Sequence, residues 1–225
     1  MFRSELELDQ ILLAAEKQQS MAQIGDETRR LLSVLNGRPI SRILEIGSEE
    51  GGTISLWLKM FPSVDIINVD LNSYPHAKGR RQELEARWKS WCGPQQTVTT
   101  IWGSSHDKSV HRQVINTIDD LMLDGVDMLF IDGDHSEQGV REDYEMYMQF
   151  VGSPGLIVFN DIHPYRGRET GPQEETVHKF WEPLKGKAID QTFDRQFHPG
   201  LRPNWIDICH DCKNQQSFGY GLLYV

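Results

Sequence analysis

The sequence has few cysteines, and this excludes a protein held together by a framework of disulfides. The chain has three cysteines among 225 residues, Cys92, Cys209 and Cys212, which are too few for a disulfide framework. Cys209 and Cys212 have the C-x-x-C spacing of a zinc half-site or a redox pair, but the sequence has no second cluster to complete the four ligands of a structural zinc. The cysteine content therefore favours a reducing compartment.

Long hydrophobic runs are also missing. No apolar run approaches the roughly 18 residues that a membrane-spanning helix requires. Residues 1–19, MFRSELELDQILLAAEKQQ, carry acidic side chains inside their apolar pattern and do not resemble a signal peptide. These absences predict a soluble, cytoplasmic protein with no membrane partner.

Basic residues are in the minority. The chain has 23 Lys and Arg against 33 Asp and Glu, which gives a formal net charge of -10. A negative charge opposes the phosphate backbone, so we do not expect nucleic acid as a partner. One basic stretch, 78–89, alternates with Glu83 and Glu85 in a helical pattern and is interpreted as a solvated helix face.

Strand-like and helical segments alternate through the middle of the chain. The apolar runs RILEIG, DIINVD, TVTTIWG, VDMLFID and GLIVFND predict strands, and helical patterns cover 52–60, 77–91 and 108–123. Near-continuous apolar strands separated by helices indicate a parallel sheet covered on both faces. The predicted fold class is therefore α/β, a doubly wound, Rossmann-like sheet.

Both ends of the chain depart from this alternation. Helical periodicity over 5–19 and 26–35 predicts an N-terminal helical extension, residues 1–38, ahead of a main domain of residues 39–225. These helices could cover the chain's own site or that of a second copy, which leaves a homo-oligomer open. After a helix around 174–184, the runs AIDQTFD (188–194) and YGLLYV (220–225) have no helical pattern between them and predict a terminal antiparallel pair.

The turn after the first strand, EIGSEEGGT at 45–53, is the first candidate ligand site, because open α/β sheets bind ligands beyond the carboxyl ends of their strands. Its G-x-x-x-G-G spacing lacks the middle glycine of a dinucleotide cradle, and Glu49 and Glu50 would repel two phosphates. The turn therefore favours S-adenosylmethionine over a dinucleotide. Glu45 could orient the methionine ammonium group through the backbone or a water, and Thr53 could meet its carboxylate. The predicted cofactor residues here are Glu45, Gly47, Ser48, Gly51 and Thr53.

Polar residues also follow the second and third strands. Asp70 ends the second strand, where a carboxylate can accept both ribose hydroxyls of a nucleoside cofactor. The third strand ends in GSSHD at 103–107, and Ser105 and His106 could read the adenine edge. A helix cap is an equally good explanation for this last turn.

Three segments together resemble a known group of enzymes. EIGSEEGGT, DMLFIDGDHSEQGVREDYEMY and GLIVFNDIHP are similar to class I S-adenosylmethionine-dependent O-methyltransferases of small molecules. The resembling branch includes cephalosporin hydroxylase-like and macrolide-sugar methyltransferases, with catechol O-methyltransferase more distant, and the resemblance covers about residues 40–165. It implies a mostly parallel methyltransferase sheet with a C-terminal antiparallel strand. It also implies methylation of a hydroxyl on a small-molecule acceptor, such as a sugar or a phenolic natural product.

The resemblance further implies a Mg²⁺ site made by Asp132 after the fourth strand and by Asn160 and Asp161 after the fifth, with Asp132 also near the cofactor. Oxygen ligands converging on one sheet edge suit a hard cation, although capping by Asp132 or Asp161 is the structural alternative. His135 matches the general base of the group, because an imidazole of pKa near 6.5 can take a hydroxyl proton near neutral pH. Asp134 could orient His135, act as another ligand or cap the next helix.

Two other functions stay open. An iron site of two histidines and one carboxylate, nominally His135, His163 and Asp132, would make the protein a metal-dependent hydroxylase on the same fold. A non-catalytic nucleoside-binding module would keep the glycine turn without the chemistry. The polar segments 163–172 and 198–205 are candidates to border an acceptor pocket.

Overall fold

A computed structural model of the chain describes residues 2–19, 23, 25–75, 77–121, 125–163, 176–191, 205–209 and 219–225, with the side chains of 186–191 left out. Across these segments, no helix is both long and apolar enough to cross a membrane. The predicted segments 163–172 and 198–205 lie mostly outside the described residues, as does Cys212.

Seven strands form one sheet: β1 (Arg42–Ile46), β2 (Val64–Asp70), β3 (Gln96–Trp102), β4 (Val126–Ile131), β5 (Val151–Asn160), β6 (Trp205–Ile208) and β7 (Tyr220–Tyr224). Their order is β3-β2-β1-β4-β5-β7-β6. The first five strands are parallel, and β7 runs antiparallel to both of its neighbours. The prediction of a mostly parallel sheet with a C-terminal antiparallel strand is confirmed.

Helices cover both faces of the sheet: α1 (Glu5–Gln18), α2 (Gly25–Leu35), α3 (Gly52–Met60), α4 (Arg81–Trp91), α5 (Lys108–Asp120), α6 (Glu137–Tyr147) and α7 (Val177–Gln191). Successive strand residues point to opposite faces, so Ile43 joins a core under α1–α4, whereas Leu44 joins a second core under α5–α7. This burial on both faces explains the near-continuous apolar strands and confirms the doubly wound class.

The N-terminal helices share the first of these cores. Leu8 and Leu12 of α1 are buried in the same cluster as Ile43 and Trp57. The backbone N–H of Gly219, just before β7, donates to a carboxylate of α2 at 3.0 Å. The helices therefore pack directly on the sheet, and the division of the chain at residue 38 stays a prediction.

The predicted strand AIDQTFD is wrong. α7 continues through Gln191, residues 192–194 lie outside the described residues, and the sixth strand is β6. The apolar residues Ile189 and Phe193 of this run are four positions apart, a spacing that places them on one face of a helix as well as of a strand. Local periodicity therefore could not decide between the two structures.

The fourth helix begins at Arg81 and not at Ala77 as predicted. The side chain of Asn72 donates to the Ala77 carbonyl at 2.8 Å and accepts from the Gly79 N–H at 2.9 Å. Gly79 has a left-handed φ of 81°. These two bonds and the left-handed residue hold 77–80 as a turn and delay the helix.

The cysteines differ in state. Cys209, directly after β6, is disulfide-bonded, which departs from the expectation of reduced cysteines. Cys92 is a free thiol that contacts the Trp88 carbonyl at 3.5 Å. Burial raises the pKa of the Cys92 thiol, because the thiolate is poorly solvated there.

Candidate active site

A cavity of about 840 Å³ opens where the parallel strands end. Ligands of doubly wound sheets bind at this edge, where the strand order reverses between β1 and β4. The structure brings most of the predicted site residues to its walls: Gly47, Ser48, Thr53, Asp70, Ser105, His106, Asp132, His135, Asn160 and Asp161. Glu45 and Gly51 are not among the lining residues.

Gly47 directly follows β1 and lies close to the backbone at the ends of both neighbouring strands, β2 and β4. Its N–H donates to the Val69 carbonyl at 2.8 Å, and its φ is +85°. A Cβ on Gly47 would lie 2.1 Å from the backbone oxygen of Asp132. Because a backbone atom cannot move aside as a flexible side chain can, glycine is required here by both conformation and space.

Gly51 serves a different neighbour. It caps α3 with a left-handed φ of 89°, and a Cβ there would lie 2.2 Å from Nε1 of Trp88. That indole donates to the Glu50 carbonyl at 3.0 Å. Gly51 therefore makes room for Trp88 of α4, a role that its place in the motif could not distinguish from cofactor contact.

Glu45 is fully buried on the α3 side of β1. Its carboxyl accepts hydrogen bonds from the Thr53 hydroxyl and, at 2.8 Å, from the Trp57 indole. Burial raises the pKa of Glu45 to about 8, against these bonds and with a contribution from Asp132 and Asp70. The carboxyl reaches the cavity only through Thr53, and the alternation along β1 places Glu45 on the same face as Ile43.

Asp70 is held in place by the glycine turn. One of its oxygens accepts the N–H groups of Ser48 and Glu49, each at 2.9 Å, and the other accepts the N–H of Asn72 at 2.5 Å. A carboxylate has about four acceptor positions, so these three bonds leave about one, on the oxygen that accepts from Asn72, for a ligand in the cavity. The geometry fits one hydrogen bond from a ribose hydroxyl and not the predicted acceptance of both.

The ends of β4 and β5 bring a cluster of ionisable side chains together. Ligand atoms of Asp132, His135 and Asp161 lie within 4.8 Å of one another. Asn160 donates its amide to Asp132 at 2.8 Å. Asp161 adopts a left-handed φ of 59°, which turns the chain immediately after β5 and which aspartate tolerates better than most residues.

His135 lies between the two carboxylates of this cluster. Its Nε2 is 3.2 Å from Asp132 and its Nδ1 is 3.0 Å from Asp161. Burial opposes the charged ring, but the hydrogen bonds to both carboxylates outweigh it and raise the pKa of His135 well above its usual value. The two carboxylates, with the Asn160 side chain beside Asp132, form a donor set that fits a hard divalent cation.

Other predicted roles are decided by contacts. Asp134 accepts a hydrogen bond from the N–H of Ser136 at 2.9 Å, in the turn immediately before α6. His163 does not belong to the metal-ligand cluster, and burial lowers its pKa. The two-histidine iron site is therefore not assembled among the described residues.

Two residues near the cavity were not predicted from the sequence. Gln23, between α1 and α2, lines it and donates to Asp132 at 3.0 Å, so the N-terminal segment reaches the site of its own chain. Asp143 of α6 is buried beside His106, with 3.2 Å between Oδ1 and the ring Nε2. No local signal marked Gln23, whereas the helical spacing of Asp143 from Ser136 could have placed it on the inner face of α6.

Comparisons with known proteins identify the family of the chain. A family model described as a methyltransferase domain matches residues 44–162, more than half of the chain. An uncharacterized protein of Acanthamoeba polyphaga mimivirus is 32% identical over 123 residues, which are 55% of this chain and 52% of the relative. The chain thus matches about half the length of this curated relative.

Solved structures share the fold at low identity. The O-methyltransferase TomG of Streptomyces achromogenes, involved in tomaymycin synthesis and in complex with SAM, has a TM-score of 0.56 at 15% identity, covering 100% of this chain and 92% of TomG. An O-methyltransferase of Bacillus cereus with SAH gives 0.54 at 14%, with 99% and 92% covered. The MycE methyltransferase of the mycinamycin biosynthetic pathway, with Mg, SAH and mycinamycin VI, gives 0.56 at 16%, with 96% and 54% covered.

Proposed function

This chain belongs to the methyltransferase domain family, and from that premise we propose that it transfers a methyl group from S-adenosylmethionine to a hydroxyl of a small molecule with the help of Mg²⁺. Membership confirms the predicted class I methyltransferase. One observation carries the proposal: the glycine turn and Asp70 share a single cavity with the cluster of Asp132, His135 and Asp161.

The cofactor end of the cavity is rich in fixed hydrogen-bonding groups. The backbone amides at the start of α3, including that of Thr53, would bind the methionine carboxylate, since a helix N-terminus carries partial positive charge. Asp70, held by the turn amides, would accept a ribose hydroxyl. Ser105 and His106 would lie at the adenine end. A sulfonium methyl group is already activated, so alignment and exclusion of water are the main tasks of these residues.

The acceptor end would use the cluster after β4 and β5. Asp132, Asn160 and Asp161 would hold Mg²⁺, which supplies Lewis-acid stabilisation of a hydroxyl oxygen as it loses its proton. His135 would accept that proton at a ring nitrogen only as the neutral imidazole, so the proton that it holds between Asp132 and Asp161 would have to leave when these carboxylates bind the cation. TomG is an O-methyltransferase involved in tomaymycin synthesis and MycE was solved with mycinamycin VI, which supports a small-molecule acceptor. Within that class we propose a sugar or a phenolic compound.

Calorimetry with S-adenosylhomocysteine, with and without Mg²⁺, tests the cofactor and the metal together. We expect binding in both cases, and a separate Mg²⁺ titration should show a site that Asp132→Asn and Asp161→Asn weaken. Absence of S-adenosylhomocysteine binding under both conditions would refute the proposed cofactor use. Binding of the nucleoside without any methylation of a hydroxyl library would instead support a non-catalytic module.

Turnover of the variants tests the chemistry. Against a library of catechols and sugars, His135→Ala and Asp132→Asn should lower methyl transfer by about 100-fold or more, because each removes a group needed at the acceptor oxygen. Cofactor affinity should change little. Asp119→Asn, an exposed change of equal charge at the end of α5, is the control. Unchanged turnover in both active-site variants would exclude this mechanism.

A further inference from the structure

We propose that Asp143 is a positioning residue for His106, holding its imidazole charged and in one orientation at the wall where the adenine ring of the cofactor would lie. The inference rests on the proposed use of S-adenosylmethionine. It adds a residue of α6, outside the strand-end motifs, to the machinery that recognises the base.

Among the described residues, few hydrogen-bond donors lie near the carboxylate of Asp143. It is 0% exposed, and the described part of the chain offers its oxygens no donor apart from the His106 ring, whose Nε2 is 3.2 Å from Oδ1. A buried carboxylate without a partner destabilises the fold, so it strongly favours a nearby cation. The physical solution available in this structure is a protonated His106.

The surroundings of His106 act in the same direction. Its Nδ1 lies 3.5 Å from an oxygen of Glu142, also on α6, and Asp134 adds negative charge from the loop before that helix. The close approach of the Asp143 carboxylate outweighs burial and raises the pKa of His106 to about 9. Tyr147, four residues after Asp143 on α6, donates to the Ser105 carbonyl at 2.7 Å and holds the turn in place.

The position of this pair points to the base of the nucleoside. The turn after β1 would take the methionine end and Asp70 the ribose, so the base extends toward the end of β3, where His106 lines the cavity. Gly133 lines the same region, and a Cβ there would lie 3.1 Å from Asp143 Oδ2. Adenine presents ring-nitrogen acceptors and a π face, and a fixed imidazolium interacts favourably with both.

Titration of the free protein by NMR tests the pair without any cofactor. The His106 imidazole signal, assigned by its absence in His106→Gln, should titrate near pH 9 in the wild type and at or below about 6.5 in Asp143→Asn. Glu145→Gln removes one charge from the exposed side of the same helix and should leave that titration in place. A wild-type value near 6.5, or no change in Asp143→Asn, would overturn the proposal. The wild-type titration decides even if Asp143→Asn fails to fold.

Calorimetry with S-adenosylhomocysteine tests the link to the base. The wild-type affinity should be flat between about pH 6.5 and 8 and weaken above about pH 9, where His106 loses its proton. Asp143→Asn should bind about tenfold more weakly at pH 7.5 and recover as the pH is lowered toward 5.5, a profile that a merely structural residue would not produce. Equal affinity of the two proteins at pH 7.5, with a lowered His106 pKa in the variant, would overturn the positioning role. No binding by the wild type would refute the proposed cofactor use, and with it the adenine role, while the NMR result on the pair would stand.

Discussion

Replacing Glu45 with glutamine should remove a pH dependence of folding stability that the buried carboxyl creates. Glu45 is fully buried, and burial raises its pKa from 4.5 to about 8 in spite of hydrogen bonds from Thr53 and Trp57. Between these two pKa values the folded protein holds a proton that the unfolded chain releases. The contribution of Glu45 to the free energy of unfolding is therefore complete below pH 4.5 and is lost as the pH rises toward 8.

The size of the effect follows from the width of this window. One pKa unit corresponds to about 1.4 kcal/mol, so the unfolding free energy should fall by about 3 kcal/mol between roughly pH 5 and pH 7.5 through this group alone. Glutamine does not titrate, and its amide oxygen can still accept from the Trp57 indole. The difference between wild type and Glu45→Gln therefore isolates the carboxyl from all other titrating groups.

Urea unfolding at half-unit pH intervals, followed by tryptophan fluorescence, measures this difference. The two curves of unfolding free energy against pH should converge or cross as the pH rises, at about 1.4 kcal/mol per unit, and run parallel above about pH 8. Glu145→Gln, a change in an exposed glutamate, should follow the wild type throughout. Parallel curves for Glu45→Gln across pH 5 to 8 would refute the reasoning, because they would mean that Glu45 is already ionised inside the fold.

Three further substitutions, with Gly79→Ala as a control, test the site. Gly47→Ala should lower the unfolding free energy by roughly 3 kcal/mol or more, because its Cβ would collide with the backbone of Asp132. Gly79→Ala, with φ +81° and nothing within 4 Å of its Cβ, should lower it by only about 1 kcal/mol. Equal losses in urea unfolding would contradict this difference. Trp57→Phe should cost about 1–3 kcal/mol by removing a donor from buried Glu45, with a larger cost above about pH 8, as the same unfolding assay will show. Asp70→Asn should weaken S-adenosylhomocysteine binding by about 10- to 100-fold in calorimetry, and an unchanged Kd would exclude its ribose role.

The core of the fold could be predicted because its signal is local. Buried parallel strands read as short apolar runs, the helices between them have their own period, and the carboxyl ends of parallel strands meet at one edge. The sequence therefore predicted that four polar residues at strand ends lie at one edge of the sheet: Asp70, Asp132, Asn160 and Asp161. The sixth strand could not be predicted, because two apolar residues four positions apart lie on one face of a helix as well as of a strand. Pairing with β7 selects the segment that forms this strand, and that pairing joins parts of the chain that are distant in sequence.

The sequence by itself therefore determined the doubly wound class, the sheet edge at which the candidate site lies and the residue types that meet there. Only the tertiary structure decided which neighbours the individual residues contact, and therefore which role each of them has. Gly51 makes space for Trp88 and Glu45 is enclosed by α3, because their neighbours come from other elements. Asp143 meets His106 for the same reason: contacts between a helix and a distant turn leave no trace in local periodicity, and the low dielectric of the interior gives them their energetic weight.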